Sequence, residues 1–257
     1  MKVKILIPIY NDWQSLIKIL ENINSEIVNL GHDFSVIIVN DASTENRPEI
    51  FANIGNFSSV KIINMKENKG HARCNASGLK YIFEKEEFDY VIPMDGDGED
   101  RPEEIKLLLK KMSENPEKVI VGERIKRSES IFFKFCYFIH KIITLTFTGK
   151  SIKFGNYTCV PKLIVEKMIN EKATWSSFSG SLTKISIDRI ATPSIRGERY
   201  FGPTKMSFFK LLIHSLSIIS VFKYGVILRS LLFSLIYLFL VYPKITIITI
   251  IPIVFII

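Results

Sequence analysis

The sequence predicts an α/β protein: a doubly wound, mostly parallel sheet, then amphipathic interfacial helices and a C-terminal transmembrane helix or hairpin. Short β-branched runs alternate with segments of helical period between residues 3 and 122, and that alternation is the signature of parallel strands joined by crossover helices. An acidic cluster, Asp95-Gly96-Asp97-Gly98-Glu99-Asp100, follows one of those runs directly. Charged residues pervade the chain up to Lys223 and then almost vanish.

Residues 3–9 and 34–40 read as the first two strands. Between them Trp13, Leu16, Ile17, Leu20, Ile23, Ile27 and Leu30 recur at helical spacing, and Gly31 ends the helix, giving a right-handed βαβ unit. A third strand over 60–65 precedes a helix over 70–84. A fourth over 89–94 precedes a helix over 102–112 that opens on Pro102, and 118–122 is the fifth.

Segments 131–148 and 205–223 resemble one another. Lys134, Tyr137, Lys141, Thr144 and Thr148 form one polar stripe in the first, and Ser207, Lys210, His214 and Ser217 do so in the second. The remaining faces are apolar, which suits helices lying in a membrane interface. From Gly225 onward the only charges are Arg229 and Lys244. Segment 225–242 reaches the roughly 17–25 residues that a spanning helix needs, with Arg229 placed to extend toward an interface. Pro243-Lys244 interrupts the run, and 245–257 is too short to span alone, so a second helix clipped within its length is expected. The expected division is a catalytic domain over 1–204, a juxtamembrane helix over 205–224 and transmembrane sequence over 225–257.

Met1-Lys2-Val3 runs straight into a strand, so no signal peptide is expected. The net charge of +8 suits a domain held at the cytoplasmic, anionic face of a cell membrane. The basic residues are scattered and the tail is apolar, which argues against a nucleic-acid partner. Cys74, Cys136 and Cys159 show no paired spacing, so neither a disulfide framework nor a zinc site is indicated.

Ligands of such sheets bind beyond the carboxyl ends of the strands. Those ends carry Pro8, Tyr10 and Asp12; Asp41 and Ser43; Asn68 and Gly70; Asp95, Asp97 and Glu99; and Glu123 and Arg124. Glycines at 96 and 98 let the chain turn between carboxylates, so that Asp95 and Asp97 reach one hard divalent ion. His71 and Arg73 stand at a helix N-terminus, where anions bind well. No G-x-G-x-x-G follows the first strand and no G-x-x-x-x-G-K-S/T occurs, which removes the dinucleotide and P-loop readings.

The motifs together resemble the family 2 glycosyltransferases with the inverting, nucleotide-sugar-binding fold, and within them the polyprenyl-phosphate sugar synthases. Ile7-Pro8-Ile9-Tyr10-Asn11-Asp12 resembles P-x-Y-N-E with Asp for Glu, and Val39-Asn40-Asp41-Ala42-Ser43 resembles V-D-D-x-S with Asn for the first Asp. Asn68-Lys69-Gly70, Asp95-Gly96-Asp97, Pro102-Glu103 and Gly122-Glu123-Arg124 follow in order. Arg199-Tyr200-Phe201-Gly202-Pro203-Thr204-Lys205 matches R-x-x-G-x-S/T-K. The resemblance implies that Pro8, Tyr10, Asp12, Asp41, Asn68, Arg73 and Asp95 bind a UDP- or GDP-linked sugar, with Asp41 on the base or ribose. It implies that Asp95, Asp97 and Glu99 hold Mg2+ or Mn2+ at the diphosphate. Glu99 stands where the lipid-phosphate synthases carry Gln.

A lipid phosphate is already ionised and needs cations more than a base; Arg124, Arg127, Arg199 and Lys205 are the candidates. Asp97, Glu99, Arg124, Arg199 and Lys205 form the expected catalytic set. A hydroxyl acceptor on a saccharide or glycerolipid is the alternative, and it would require Glu99 or Asp100 as base. A non-catalytic scaffold that binds nucleotide or lipid head groups is the reading of another class, disfavoured by the presence of both Asp95 and Asp97. No Q-x-x-R-W segment of the processive polysaccharide synthases occurs.

Overall fold

The computed structural model describes residues 1–48, 54–126, 131–186, 188–202 and 208–256. The chain divides into two compact units, Met1–Ser128 with Lys153–Ser207, and Glu129–Ile152 with Phe208–Ile257.

The first unit is built on a sheet ordered β3-β2-β1-β4-β6-β5-β7. Its strands are β1 (Lys2–Ile9), β2 (Asp33–Asn40), β3 (Ser59–Asn64), β4 (Tyr90–Pro93), β5 (Val119–Lys126), β6 (Phe154–Pro161) and β7 (Arg189–Ile195). The first four pair in parallel, as the alternation predicts. The fifth strand of the sequence does not lie beside the fourth: β6 runs antiparallel between β4 and β5, and β7 pairs in parallel with β5. The sheet is therefore mixed and mostly parallel, as expected.

Both faces of the sheet are covered. Ile5 and Ile7 of β1 face α1 (Trp13–Ile27) and α3 (Ile105–Glu114), packing with Leu16, Leu20, Ile23 and Leu108. Leu6 points the other way, with Ile37, Val39, Leu79, Ile82 and Leu182, toward α2 (His71–Lys85), α5 (Lys162–Asn170) and α6 (Phe178–Ile185). A strand buried on both faces reads as a continuous apolar run, which is why β1 and β2 are legible in the sequence.

The second unit holds α4 (Ile131–Thr148), α7 (Phe208–Ser220), α8 (Lys223–Val241) and α9 (Ile247–Ile256). The contiguous domain expected over 1–204 is thus interrupted, because α4 belongs with the C-terminal helices and packs on α7 and α8. Burial in this unit is inverted. Thr144, Thr148, Ser230 and Ser234 are buried, while Phe138, Ile142, Leu145, Leu228, Leu235 and Phe239 are exposed. The polar stripe expected along α4 is accordingly divided, with Lys141 exposed and both threonines inside. Arg229 does not simply extend from one end of α8: its Nη1 lies 3.5 Å from the carbonyl of Phe147, at the C-terminus of α4, where unpaired carbonyls attract a cation. α8 has 19 residues and a mean hydropathy of 2.0.

One ion-paired carboxylate ties the far end of α2 to the sheet. Glu86, nearly buried, accepts from Lys4 of β1 (3.2 Å) and from Lys61 of β3 (2.6 Å). Burial would raise its pKa, but the bonds from Lys61 and Lys4 prevail and hold it below the ordinary 4.5. The pair therefore stabilises the fold above that pH, and the contribution disappears as pH falls through the depressed value. Glu86→Gln should lower stability at neutral pH by about 3 kcal/mol, because Lys4 is left buried and unpaired. In urea titrations of the detergent-solubilised chain, the gap between variant and parent should close as the pH falls through the depressed pKa of Glu86.

Candidate active site

The carboxyl ends of β1 and β4 lie side by side where the strand order reverses. From β1 the chain moves outward to β2 and β3, then returns to place β4 on the opposite flank. Such a reversal opens a crevice beyond the strand ends. The loops bordering it are tightly bonded. Asn11 and Ala42 adopt left-handed backbone, with φ of 49° and 55°, a conformation that costs a non-glycine residue about 1–2 kcal/mol. Asn11 holds it through its N–H to Ser43 Oγ (2.9 Å) and by accepting the N–H of Thr44 at Oδ1 (2.8 Å). Asp41 is buried, and its two oxygens accept the N–H groups of Lys69 and Gly70, both at 2.8 Å, pinning the entry of α2 beside the end of β2.

The loop after β4 crowds Asp95, Asp97, Glu99 and Asp100 together. Asp100 is buried and accepts the N–H of Asp95 (2.9 Å), closing the loop on itself, while Tyr157 donates to the carbonyl of Arg101 (2.7 Å). Arg124, aimed by irregular pairing at both sides of it in β5, reaches Asp100 at 3.7 Å. Gly155 leaves room for that guanidinium, since a Cβ there would come within 3.3 Å of it. Burial, with the charge of Asp95 adding to it, pushes the Asp100 carboxyl up to about 7 against the pull of Arg124. Burial and the charges of Asp95 and Glu99 likewise push Asp97 up to about 6. Asp95 behaves oppositely: burial would raise it, but His71, Arg124 and Arg196 hold it far below the carboxylate range.

His71, first residue of α2, places Nε2 3.0 Å from Asp95 Oδ1, and its Nδ1 lies 3.3 Å from the Asn156 amide. Asp95 Oδ1 is buried, and the His71 imidazole faces it. A buried carboxylate oxygen with an open lone pair fits a divalent cation. Among the described residues, however, no group of three His, Cys, Asp or Glu side chains is gathered to hold one. Asp95, Asp97 and Glu99 do not converge, because Asp97 and Glu99 are drawn onto arginines. The residues suit an ion carried by Asp95 and Asp97, with ligand oxygens completing its shell.

Those arginines arrive on the segment leaving β7. Glu104 fixes its start, accepting from Ser194 Oγ (2.7 Å) and the Ile195 N–H (2.8 Å). The chain then crosses the acidic loop, with Gly197 N–H on the Glu99 carbonyl (2.8 Å) and Tyr200 N–H on the Asp97 carbonyl (2.9 Å). Arg196 pairs with Glu99. Arg199 forks between Asp12, at the end of β1, and Asp97, 2.7 Å away. Tyr200 lies over Gly98 and its hydroxyl accepts from Asn22 of α1 (2.8 Å).

Of the residues singled out from the sequence, the structure brings together Asp12, Asp95, Asp97, Glu99, Arg124 and Arg199. Asp41 is engaged with the α2 entry. Pro8 lies one residue before the end of β1, beside Val39, Tyr10 is exposed just beyond the strand, and Asn68 and Arg73 are exposed before and within the first turn of α2. Arg127 and Lys205 lie outside the described residues. Sequence reasoning missed Arg196, Tyr200, Asn22 and Asn156 as members of the site. The repeated arginine spacing of Arg196-Gly197-Glu198-Arg199 was the available signal for the first.

The mixed α/β sheet with an acidic strand-end site defines a sugar-transferase class of fold. The chain belongs to glycosyl transferase family 2, whose model matches residues 4–161, more than half of its length. It is 28% identical over 222 residues to an undecaprenyl-phosphate 4-deoxy-4-formamido-L-arabinose transferase of Serratia proteamaculans, covering 82% of this chain and 64% of the relative. A Klebsiella pneumoniae relative of the same name is 26% identical, with the same coverage. The chain thus spans just under two thirds of the length of these curated relatives. Among solved structures, glucosyl-3-phosphoglycerate synthase from Mycobacterium tuberculosis, in complex with Mn2+, UDP-glucose and phosphoglyceric acid, shares the fold. Its TM-score is 0.60 at 11% identity, covering 88% of this chain and 79% of that one. A mannosyltransferase from Pyrobaculum calidifontis with GDP-mannose and Mn2+ matches with a TM-score of 0.53 at 15% identity, covering 89% and 72%.

Gly98 allows the crossing segment to seat. Its φ is +93°, and a Cβ would lie 2.7 Å from the Tyr200 ring, whereas Gly202 (φ +68°) has open space around it. Gly98→Ala should therefore unseat the segment and speed tryptic cleavage after Arg196 and Arg199 severalfold. Gly202→Ala, which meets only backbone strain, should leave the cleavage rate near that of the parent.

Proposed function

We propose that this chain is a membrane-attached inverting glycosyltransferase that moves a sugar, of hexosyl type, from a UDP- or GDP-linked donor to a polyprenyl phosphate. The observation that carries the reading is the pairing of buried strand-end carboxylates with guanidinium groups at the switch point of a family 2 sheet. The names of the curated relatives, which act on undecaprenyl phosphate, support the acceptor. The ligands of the structural neighbours support a nucleotide-sugar donor and a divalent ion.

Residues 1–204, apart from α4, are assigned to catalysis, and 205–224 to a juxtamembrane helix. Residues 225–257 are assigned to the membrane, which holds the catalytic domain at the cytoplasmic face of the cell membrane. The exposed leucines and phenylalanines of α4 and α8, with serines and threonines inside, support a hydrocarbon surrounding for these helices.

Mg2+ or Mn2+ held by Asp95 and Asp97 would act as a Lewis acid on the diphosphate, stabilising the departing nucleoside diphosphate. Pro8, Tyr10, Asp12, Asn68 and Arg73 border the crevice for the donor, and Asp41 keeps its α2 side in shape. Arg124, Arg199 and Lys205 supply cations for the acceptor phosphate and the leaving group, so that a phosphate oxygen attacks the anomeric carbon from the face opposite the departing diphosphate. No base is needed, because the acceptor is already ionised. The engagement of Glu99 by Arg196, and of buried Asp100 by the Asp95 amide, supports this acceptor over a hydroxyl.

Membranes carrying the chain or its Asp97→Ala variant would be given radiolabelled UDP- and GDP-sugars, Mn2+ and polyprenyl phosphate. Label should enter an acid-labile lipid fraction with one donor, and the variant should lose about 100-fold or more in rate. Nucleoside diphosphate release without labelled lipid phosphate would move the acceptor to a hydroxyl, and no turnover of any donor would remove the enzyme reading.

A further inference from the structure

Two positive charges from residues 196–201 sit on carboxylates of the loop that follows β4. Arg196 is on Glu99, and Arg199 is on Asp97 and Asp12. All three acidic side chains are less than a fifth exposed, as is that of Arg199. Buried carboxylates at this spacing require compensating charge, and the two guanidinium groups deliver the charge of one divalent ion. One Asp97 oxygen receives Arg199 at 2.7 Å and the other accepts the Glu99 N–H at 3.0 Å, so a metal arriving at Asp97 competes with the guanidinium for the charge of the same carboxylate. Asp95 Oδ1, by contrast, is buried and faces the imidazole of His71 at 3.0 Å.

We propose that Arg196 and Arg199 are exchange residues. They neutralise Glu99 and Asp97 until a divalent ion occupies Asp97, and they then turn onto the diphosphate of the donor. The segment need not leave its seat, because the bonds from Gly197 to Glu99 and from Tyr200 to Asp97 use backbone carbonyls only. Glu104 and Asn22 hold its two ends. Guanidinium suits both partners, since its planar fork matches carboxylate and phosphate alike. The diphosphate half of this inference rests on the proposed function; the displacement of arginine by metal does not.

The exchange gives effects of opposite sign. With Mn2+ alone, followed by the electron paramagnetic resonance of the free ion, Arg199→Gln and Arg196→Gln remove a competitor. Each should bind Mn2+ more tightly, within the 5- to 150-fold span of ordinary coupling between ligands. Arg101→Gln removes one positive charge from the same loop, a residue that pairs with Glu103, and it should change Mn2+ affinity much less. With Mn2+ at saturation and UDP or GDP titrated in, the Arg199 and Arg196 variants should bind the nucleotide more weakly than the parent. Circular dichroism of each variant establishes that it is folded, and Arg199→Lys serves where Arg199→Gln is not. A point charge cannot span Asp12 and Asp97 together, so that variant should also bind Mn2+ more tightly. Equal tightening in Arg101→Gln would reduce the effect to general electrostatics and overturn the exchange, as would weaker Mn2+ binding in the arginine variants. Tighter Mn2+ binding without weaker nucleotide binding would overturn the transfer to diphosphate. None of these readouts depends on sugar transfer.

Discussion

The density of carboxylates after β4 is the constraint to which the rest of the site responds. Asp95, Asp97, Glu99 and Asp100 fall within one short loop at the inner end of a fully buried strand. Like charges held this closely in a low-dielectric crevice cannot all remain ionised without cations nearby. His71 answers Asp95, Arg124 answers Asp100, and Arg196 and Arg199 answer Glu99 and Asp97. These cations come from α2, β5 and the segment after β7, so electrostatics draws distant parts of the chain onto one loop. The antiparallel insertion of β6 contributes as well: it separates β5 from β4 by one strand and brings Gly155, Asn156 and Tyr157 to the site.

The C-terminal unit reverses the burial pattern of the first. In water, burying Ser and Thr while exposing Leu and Phe is unfavourable on both counts. In hydrocarbon the same arrangement costs little, because apolar side chains gain nothing by hiding and small polar residues allow helices to approach closely. Thr148 donates to the carbonyl of Thr144 within its own helix, and Phe147 meets Phe233 edge to face at 5.9 Å. Arg229 at the end of α4 adds a cation where the helix leaves carbonyls unpaired.

The sequence made the first half of the sheet legible, and the reason is burial on both faces. β1, β2 and β4 consist of apolar runs, and α1 shows its stripe in Trp13, Leu16, Leu20, Ile23 and Ile27. Beyond residue 150 the signal fades. β7 carries Thr192, Pro193 and Ser194, lies at the sheet edge and is only partly buried, so its pattern does not rise above that of a loop. The polarity of strand ends locates the crevice, but spacing along the chain does not say which side chains meet. Arg124 was found through its motif, whereas Tyr157 and Asn22 are ordinary residues until the fold places them against Arg101 and Tyr200. Asp41, a motif residue expected at the base or ribose, has a structural partner that its motif does not announce: two backbone amides of the α2 entry.

Glu99 and Arg196 explain one another. The lipid-phosphate synthases that the chain resembles carry Gln at this position, and a carboxylate there adds negative charge to a loop already crowded with it. As a third metal ligand it would have to lie near Asp95 and Asp97 and increase their repulsion. Paired with Arg196 it carries no net charge into the crevice and instead tethers the segment that brings Arg199 to Asp97. The backbone bond from Gly197 to the carbonyl of this same residue makes the tether two-pronged. The departure from the family pattern therefore has a local physical compensation, since Glu99 enters the crevice already paired.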